Sequence, residues 1–317
     1  MTQVPAEAIR RAPDPWPELD CAAWRETAPT LRLMTQIVGK VRLRRFPRLN
    51  HCWTATLHVD ARGLATGLMF HEGRGFEIRF DFLAGELVVE ASDGARFALP
   101  LEARPIAQFY GALMDGLAGI GLGVEISGRP NEIADAIPFA RDGAPRAYDG
   151  EAARRFWAAL LSASRVFEEF RALFVGKASP PQFYWGSFDL AVTRFSGRAA
   201  PPHPGGAPNL PLAAMREAYS HEVFTAGFRP GCGGRGGAAF YCGAWPVPRR
   251  FAEAAVEPEA AFFSRKADEF ILPYDRVRAA ASPEASLTRF LQSAYEAAAG
   301  FGRWDRAALE RHPHERP

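Results

Sequence analysis

Side chains capable of metal-ion or acid–base chemistry are concentrated between residues 197 and 235. His203 lies in a stretch rich in proline and glycine, and His221 is followed directly by Glu222. Neutral imidazoles and a carboxylate are common ligands of zinc and non-haem iron, and they also act as general acids and bases. The sequence therefore predicts His203, His221 and Glu222 as catalytic groups, with His203 and His221 as ligands of a divalent metal ion.

A structural role for the same histidines is the alternative. Adjacent side chains such as those of His221 and Glu222 point to opposite faces of a strand, and on a helix they diverge by about 100°. In either case the two groups would not meet at one atom. His203 and His221 would then only form hydrogen bonds with loop carbonyls, and this alternative stays open.

A second group of aromatic and charged residues could line a small-molecule pocket. Tryptophan and tyrosine offer flat apolar surfaces with one polar atom, as such pockets require, although core packing explains them equally well. In this interpretation Asp189 and Arg194 orient the histidines. The predicted substrate-binding residues are Trp185, Asp189, Arg194, Tyr219, Trp53 and His51.

Two other motifs are weaker indications of chemistry. His58-Val59-Asp60 has the His-x-Asp spacing of facial-triad iron enzymes, but polar residues on the solvent face of a strand have the same spacing. The glycine-rich run 231–237, which contains Cys232, lacks the Lys-Ser/Thr ending of a phosphate-binding loop. We interpret this run as a turn.

The composition indicates a globular protein with a substantial core. Of 317 residues 48% are hydrophobic, and the formal net charge is +2. No basic run with interleaved aromatic residues is present, so nucleic-acid binding is not expected. No apolar run approaches the roughly 18 residues that a membrane span needs, and no secretion signal is recognisable. The four cysteines include no Cys-x-x-Cys pair, and we expect cytoplasmic residence.

Strict alternation of apolar and polar residues predicts strands at 53–60 and 76–82. Such alternation is typical of antiparallel sheets with one covered face. Apolar residues at helical spacing predict helices over about 20–38, 106–117, 151–174 and 287–298.

The chain also repeats itself, which predicts an internal duplication. Val38-Gly39-Lys40 recurs as Val175-Gly176-Lys177, and Leu99-Pro100-Leu101 recurs as Leu272-Pro273-Tyr274. The apolar stripes of the helices that follow the Leu-Pro steps match at a constant offset of 181. The equivalent places of Lys40 and Lys177 favour a structural role for both, with an anion site as the alternative.

We therefore predict an α+β protein of two similar helix–antiparallel sheet–helix units packed about a pseudo-twofold axis. The second unit carries the Pro/Gly-rich insertion. The predicted organisation is an N-terminal extension (1–20), a first repeat (21–127), a connection (128–150), a second repeat (151–304) with the insertion at about 197–235, and a C-terminal tail (305–317).

Several motifs resemble an uncharacterised bacterial family, domain of unknown function 5996. They are Thr35–Val41, Ser179–Gly206, Glu217–Glu222 and Leu272–Asp275. The resemblance extends from about Trp16 to Leu309. It implies a single full-length family and brings no activity with it.

The sequence favours a soluble enzyme that acts on a small polar or aromatic metabolite in a cleft between the two repeats. Its chemistry would be histidine-based acid–base catalysis or metal-assisted catalysis. One alternative is a non-catalytic small-molecule-binding protein. The other is a structural module in which the insertion forms a homodimer contact.

Overall fold

A computed structural model describes residues 14–19, 21–231 and 236–311 of the chain. Most of the predicted N-terminal extension, Cys232 with the centre of its glycine-rich run, and the end of the predicted tail lie outside these residues. The first half of the described chain contains helices α1 (Cys21–Arg45) and α2 (Ile106–Gly119). Its strands are β1 (Thr56–Val59), β2 (Gly63–Ala65), β3 (Met69–His71), β4 (Arg74–Asp81), β5 (Glu86–Ala91) and β6 (Arg96–Pro100).

The second half begins with the long helix α3, after a connection that contains one short 3-10 turn. Its helices are α3 (Gly150–Ala172), α4 (Leu212–Ala218), α5 (Tyr274–Arg278), α6 (Pro283–Phe301) and α7 (Arg306–Leu309). Its strands are β7 (Gln182–Tyr184), β8 (Asp189–Ala199), β9 (His221–Arg229), β10 (Ala239–Trp245), β11 (Phe262–Ser264) and β12 (Glu269–Pro273).

All twelve described strands belong to one antiparallel sheet, which confirms the predicted α+β class. The order is β11-β12-β10-β9-β8-β7-β1-β2-β4-β5-β6, and β3 pairs with β4. The two halves meet where β1 pairs with β7, at Thr56 opposite Tyr184 and Leu57 opposite Phe183. From this junction the first half continues outward through β2, β4, β5 and β6, and the second half through β8, β9, β10, β12 and β11.

The two faces of the second half-sheet differ sharply in polarity. Successive residues of a strand point to opposite faces, and on β8 the side chain of Arg194 packs against Phe170 of α3. Leu190, Val192 and Arg194 therefore belong to the core face. Asp189 and Phe195 belong to the opposite face, which we call the polar face.

Amphipathic helices cover the core face of the sheet with their apolar sides. The predicted stripe of α6 is buried in full: Leu287, Phe290, Leu291, Ala294, Tyr295 and Ala298. Asp149 caps α3 by accepting hydrogen bonds from two backbone N–H groups, which satisfies donors that a helix start leaves open. The buried residues of both halves form a single hydrophobic core.

Local structure differs from the sequence prediction around residue 53. The predicted strand 53–60 begins only at Thr56, because residues 50–52 form a 3-10 turn. His51 and Cys52 in this turn have left-handed backbone angles, with φ of 53° and 59°. The turn directs His51 toward the second half of the molecule instead of along β1.

One pair of repeated motifs occupies different structural positions in the two halves. Val38-Gly39-Lys40 lies inside α1, whereas Val175-Gly176-Lys177 follows the end of α3. The Leu-Pro steps are comparable, since Pro100 ends β6 and Pro273 ends β12.

Within the described ranges, no helix combines the length and apolarity that crossing a membrane would require.

Acidification should destabilise the protein through His58 of β1. Burial, aided by the charge of Arg42, lowers the pKa of His58 to about 4. Between pH 6.5 and 4 the unfolded chain therefore binds a proton that the folded chain excludes, and stability falls as the pH falls. We expect His58→Gln to remove about 3 kcal/mol of this loss.

The measurement is urea unfolding of both proteins at several pH values in that window. The difference between the two pH profiles isolates His58 from the carboxylates, which the two proteins share. Identical pH dependence in both proteins would contradict the assignment.

Candidate functional site

Asp189 is the centre of a hydrogen-bonded group on the polar face. It begins β8 and is only 5% exposed. The hydroxyl of Ser187 donates to one carboxylate oxygen, and the hydroxyl of Tyr241 donates to the other. Burial and the charge of Asp189 raise the pKa of Tyr241 well above its usual value. Tyr241 therefore stays protonated and remains a hydrogen-bond donor.

Next to this group, Arg229 of β9 and Glu269 of β12 form a bidentate ion pair. The Nη2–Oε2 distance is 2.8 Å, and Nη1 donates to the second oxygen. The guanidinium lies 3.8 Å from the ring centroid of Tyr241. Burial alone would lower the pKa of Arg229, but hydrogen bonding to Glu269 outweighs it and raises the pKa. The guanidinium of Arg229 therefore stays charged at neutral pH.

Two further tyrosines adjoin Asp189. Burial raises the pKa of Tyr219 to about 12, and the charge of Asp189 adds to this effect. Burial and Asp189 also raise the pKa of Tyr184, whose hydroxyl is hydrogen-bonded to Trp53. At neutral pH both phenols are therefore uncharged. The structure thus brings three predicted residues, Asp189, Tyr219 and Trp53, into one neighbourhood.

A cavity of about 390 Å³ opens at the end of the sheet beside this group. Its walls come from α1, from the connection between the halves, from the β7–β8 turn and from the end of β9. Ser187 and Arg229 belong both to the Asp189 group and to the cavity wall. The charged residues in the wall are Arg32, Asp135, Asp142, Arg146 and Arg229.

Guanidinium groups outnumber carboxylates around the cavity. Arg146 is paired with Asp142. Arg32 donates to the carbonyl oxygens of Gly186, at 2.6 Å, and Glu132, at 3.2 Å. Most of the other lining residues are apolar, among them Leu33, Ile133, Ile137 and Phe188. Such a wall suits a small molecule with an apolar body and a negative charge.

A basic cluster of His51, Lys177 and His221 lies farther along the polar face. The Nδ1 of His51 is 3.1 Å from the carbonyl oxygen of Ala218, and its Nε2 is 2.6 Å from the Nζ of Lys177. A carbonyl can only accept, so Nδ1 carries the proton and Nε2 accepts from the ammonium. Burial lowers the pKa of His51, and the charges of Lys177 and His221 lower it further. The imidazole is therefore neutral.

His203 holds the insertion against the polar face. Its ring stacks on Tyr219 at 4.6 Å between centroids and lies 4.6 Å from the ring of Trp245. Its Nδ1 accepts a hydrogen bond from the N–H of Gly205 at 3.0 Å. His203 thus makes a local contact with a backbone N–H, whereas the structural alternative expects loop carbonyls. His221 contacts the hydroxyl of Ser220 at 3.0 Å and the ring of His51 at 5.5 Å.

The remaining predicted site residues lie elsewhere. Glu222 accepts hydrogen bonds from Ser196 and Arg198, and the alternation of β9 separates it from His221. The buried guanidinium of Arg194 is 3.4 Å from the ring centroid of Phe170, on the core face. Trp185 packs against Gly39 of α1. The core face therefore holds Glu222 and Arg194, on the opposite side of the sheet from Asp189 and the basic cluster, and the contact of Trp185 is with α1.

Among the described residues, no group of three or more histidine, cysteine, aspartate or glutamate side chains is arranged to hold a metal ion. The predicted metal site at His203 and His221 thus gains no third ligand there.

Sequence reasoning missed several members of this site. Ser187, Arg229, Tyr241 and Glu269 are distant from one another in sequence and meet only through the pairing of β8, β9, β10 and β12. The available signal was the presence of polar residues at every second position of an otherwise apolar strand. The repeated Val-Gly-Lys motif draws attention to Lys177. Its contact with His51, however, depends on the left-handed turn at His51.

Comparison with curated proteins and with solved structures finds no significant match. A family model described as a family of unknown function (DUF5996) matches residues 16–311. This match includes both halves of the sheet, the cavity and the basic cluster. The chain therefore belongs to this family of unknown function.

Proposed function

We propose that the protein binds a small organic anion with an aromatic or other apolar body in the cavity beside Asp189. The observation that carries the proposal is the cavity itself, about 390 Å³ in volume, with three arginines and two aspartates in an otherwise largely apolar wall. A volume of this size suits a single-ring metabolite. The arginines supply planar donors that match carboxylate and phosphate groups.

The polar side of the cavity gives the ligand a fixed orientation. Ser187 is tethered to Asp189 and Arg229 is tethered to Glu269. Donors that are already held in place lose little conformational freedom on binding. An anion at Arg229 would share the guanidinium with Glu269.

The location of the cavity between the two halves supports the proposal that a ligand binds there. The wall combines α1 of the first half, the connection and strand ends of the second half. The Leu-Pro steps that end β6 and β12 support our further proposal of an ancestral duplication. Histidine-based or metal-assisted catalysis, cytoplasmic residence and a homodimer stay predictions.

A thermal-shift titration with benzoate and phenyl phosphate tests the proposal, with benzyl alcohol as the uncharged control. We expect the anions to raise the melting temperature, because a ligand at 100 times its Kd stabilises the folded state by about 2.7 kcal/mol. Ala136→Trp should abolish the shift, since Ala136 lines the cavity and an indole would fill it.

Ala134→Trp is the matched control, because Ala134 is exposed on the same segment. It should leave the titration unchanged. Equal shifts with the alcohol and the anions, or equal shifts in the two tryptophan variants, would contradict binding of an anion in this cavity.

A further inference from the structure

Lysine is rare in this chain, and two of its lysines occupy unusual positions. Lys40, Lys177 and Lys266 are the three lysines among 38 lysine and arginine residues. Arginine thus provides the cation of nearly every surface ion pair. Lysine differs from arginine because its amine can lose the proton and become a nucleophile.

Of the three, Lys177 combines access to solvent with a proton acceptor. Lys266 is exposed, and Lys40 is only 5% exposed. Lys177 is exposed, yet its Nζ is 2.6 Å from the Nε2 of His51. That nitrogen has a free lone pair, because the Nδ1 of His51 holds its proton against the carbonyl of Ala218.

Among the described residues, Lys177 has a proton acceptor and aromatic neighbours but no carboxylate partner. In the described part of the chain no ion pair involves Lys177, so no carboxylate stabilises its positive charge through such a contact. Its Nζ lies 5.4 Å from the ring centroid of Trp53 and 5.1 Å from that of Phe195. His221 adds a second imidazole 5.5 Å from His51. Although the side chain as a whole is exposed, partial desolvation of the amine lowers the pKa of Lys177.

We propose that Lys177 forms a Schiff base with a small aromatic aldehyde, with His51 as its proton shuttle. The ammonium first gives a proton to the Nε2 of His51. The free amine then forms an N–C bond to the carbonyl carbon, and the π electrons of the C=O bond move to the oxygen, which takes the proton back from His51. The nitrogen of this adduct still carries two protons and the positive charge. One of these protons passes through His51 to the hydroxyl group, which leaves as water, and the C=N bond forms. An ammonium and an aldehyde thus yield a protonated imine and water without oxidation or reduction.

The aromatic rings determine the class of carbonyl compound. Trp53, which is partly exposed, flanks the amine and offers an apolar face to a ring, and the buried ring of Phe195 flanks the amine as well. His51 is itself held in place, since its ring lies 4.5 Å from that of Phe195 and its Nδ1 is hydrogen-bonded. A base held this way stays aligned with the amine during the reaction.

Benzaldehyde with cyanoborohydride tests the proposal on the full chain. The reductant converts the imine to a stable benzylamine, which peptide mass spectrometry assigns to a lysine. At pH 7 we expect Lys177 to react on the order of 10²-fold faster than Lys266, the internal control for an ordinary exposed amine. His51→Gln should bring Lys177 down to the rate of Lys266.

Lys177→Arg keeps the positive charge and a donor for His51, so it should fold normally and lose only the fast label. Melting curves of both variants show that they are folded. Equal labelling of Lys177 and Lys266, or fast labelling of Lys177 that survives His51→Gln in a folded protein, would overturn the proposal. Ala136→Trp should leave this labelling unchanged, so failure of the cavity proposal and failure of this one are distinguishable.

Discussion

Replacing Gly39 by alanine should lower the free energy of unfolding by about 2–3 kcal/mol. A Cβ at this position of α1 would lie 2.3 Å from the Nε1 and 2.4 Å from the Cδ1 of Trp185. The indole is only 3% exposed, so it cannot swing into solvent without opening the core. The strain outweighs the gain of up to about 1 kcal/mol that alanine offers in a helix. Urea unfolding measures the difference.

Gly111→Ala is the matched control, because Gly111 also lies inside a helix and a Cβ there meets nothing within 4 Å. It should stabilise the protein by about 0.5–1 kcal/mol. Opposite signs for two chemically identical substitutions would locate the effect in the contact with Trp185. If Gly39→Ala is as stable as the unaltered protein, the close packing of Trp185 on α1 is wrong.

A second test of this contact is whether the effects of Gly39→Ala and Trp185→Ala on the free energy of unfolding add. Trp185→Ala removes the ring that the new methyl group would strike. The double variant should therefore be no less stable than Trp185→Ala alone, since neighbouring substitutions that share a contact do not add. Trp185 was predicted as a substrate-binding residue, and this experiment assigns its main contact to α1 instead.

Helices and strand alternation were predictable because each depends on nearby residues. The stripe of α6 repeats at helical spacing, and all its predicted members are buried. The strand 76–82 was predicted from alternating phenylalanines and corresponds to β4, Arg74–Asp81. In both cases the burial of one face leaves a local period in the sequence.

The candidate site was only partly predictable because it depends on long-range pairing. The separation of His221 from Glu222 by strand alternation was predictable, because it is local, but the contact of His221 with His51 was not. Tyr241 reaches Asp189 across 52 positions of sequence. No local period marks such a contact, because it requires the register between distant strands to be known first.

The repeated Val-Gly-Lys motif also shows that a local motif does not determine which residues its side chains contact. Gly39 permits the approach of Trp185, whereas a Cβ at Gly176 would strike Leu309 and Phe174. The same three letters therefore meet different neighbours in α1 and after α3. Lys40 lies buried inside a helix, and Lys177 is exposed beside His51.

Replacing Arg229 by methionine should have the largest combined effect on stability and binding. It removes a guanidinium from the cavity wall and leaves Glu269, which is 7% exposed, without its ion-pair partner. Losing one member of a buried pair costs about 3 kcal/mol, because the remaining charge is desolvated without compensation. We therefore expect a clear loss of stability in urea and at least a tenfold loss of affinity for benzoate, about 1.4 kcal/mol.

The double variant Arg229→Met/Glu269→Met separates these two effects. Replacing both members of a buried pair with apolar side chains is often neutral for stability, so the double variant should recover most of the free energy of unfolding. It should not recover benzoate binding, because the guanidinium is still missing. Glu269→Gln should instead strengthen binding, since Arg229 would no longer be neutralised by a carboxylate. Recovery of binding together with stability in the double variant would show that Arg229 only supports the fold, and the anion site would then have to lie elsewhere.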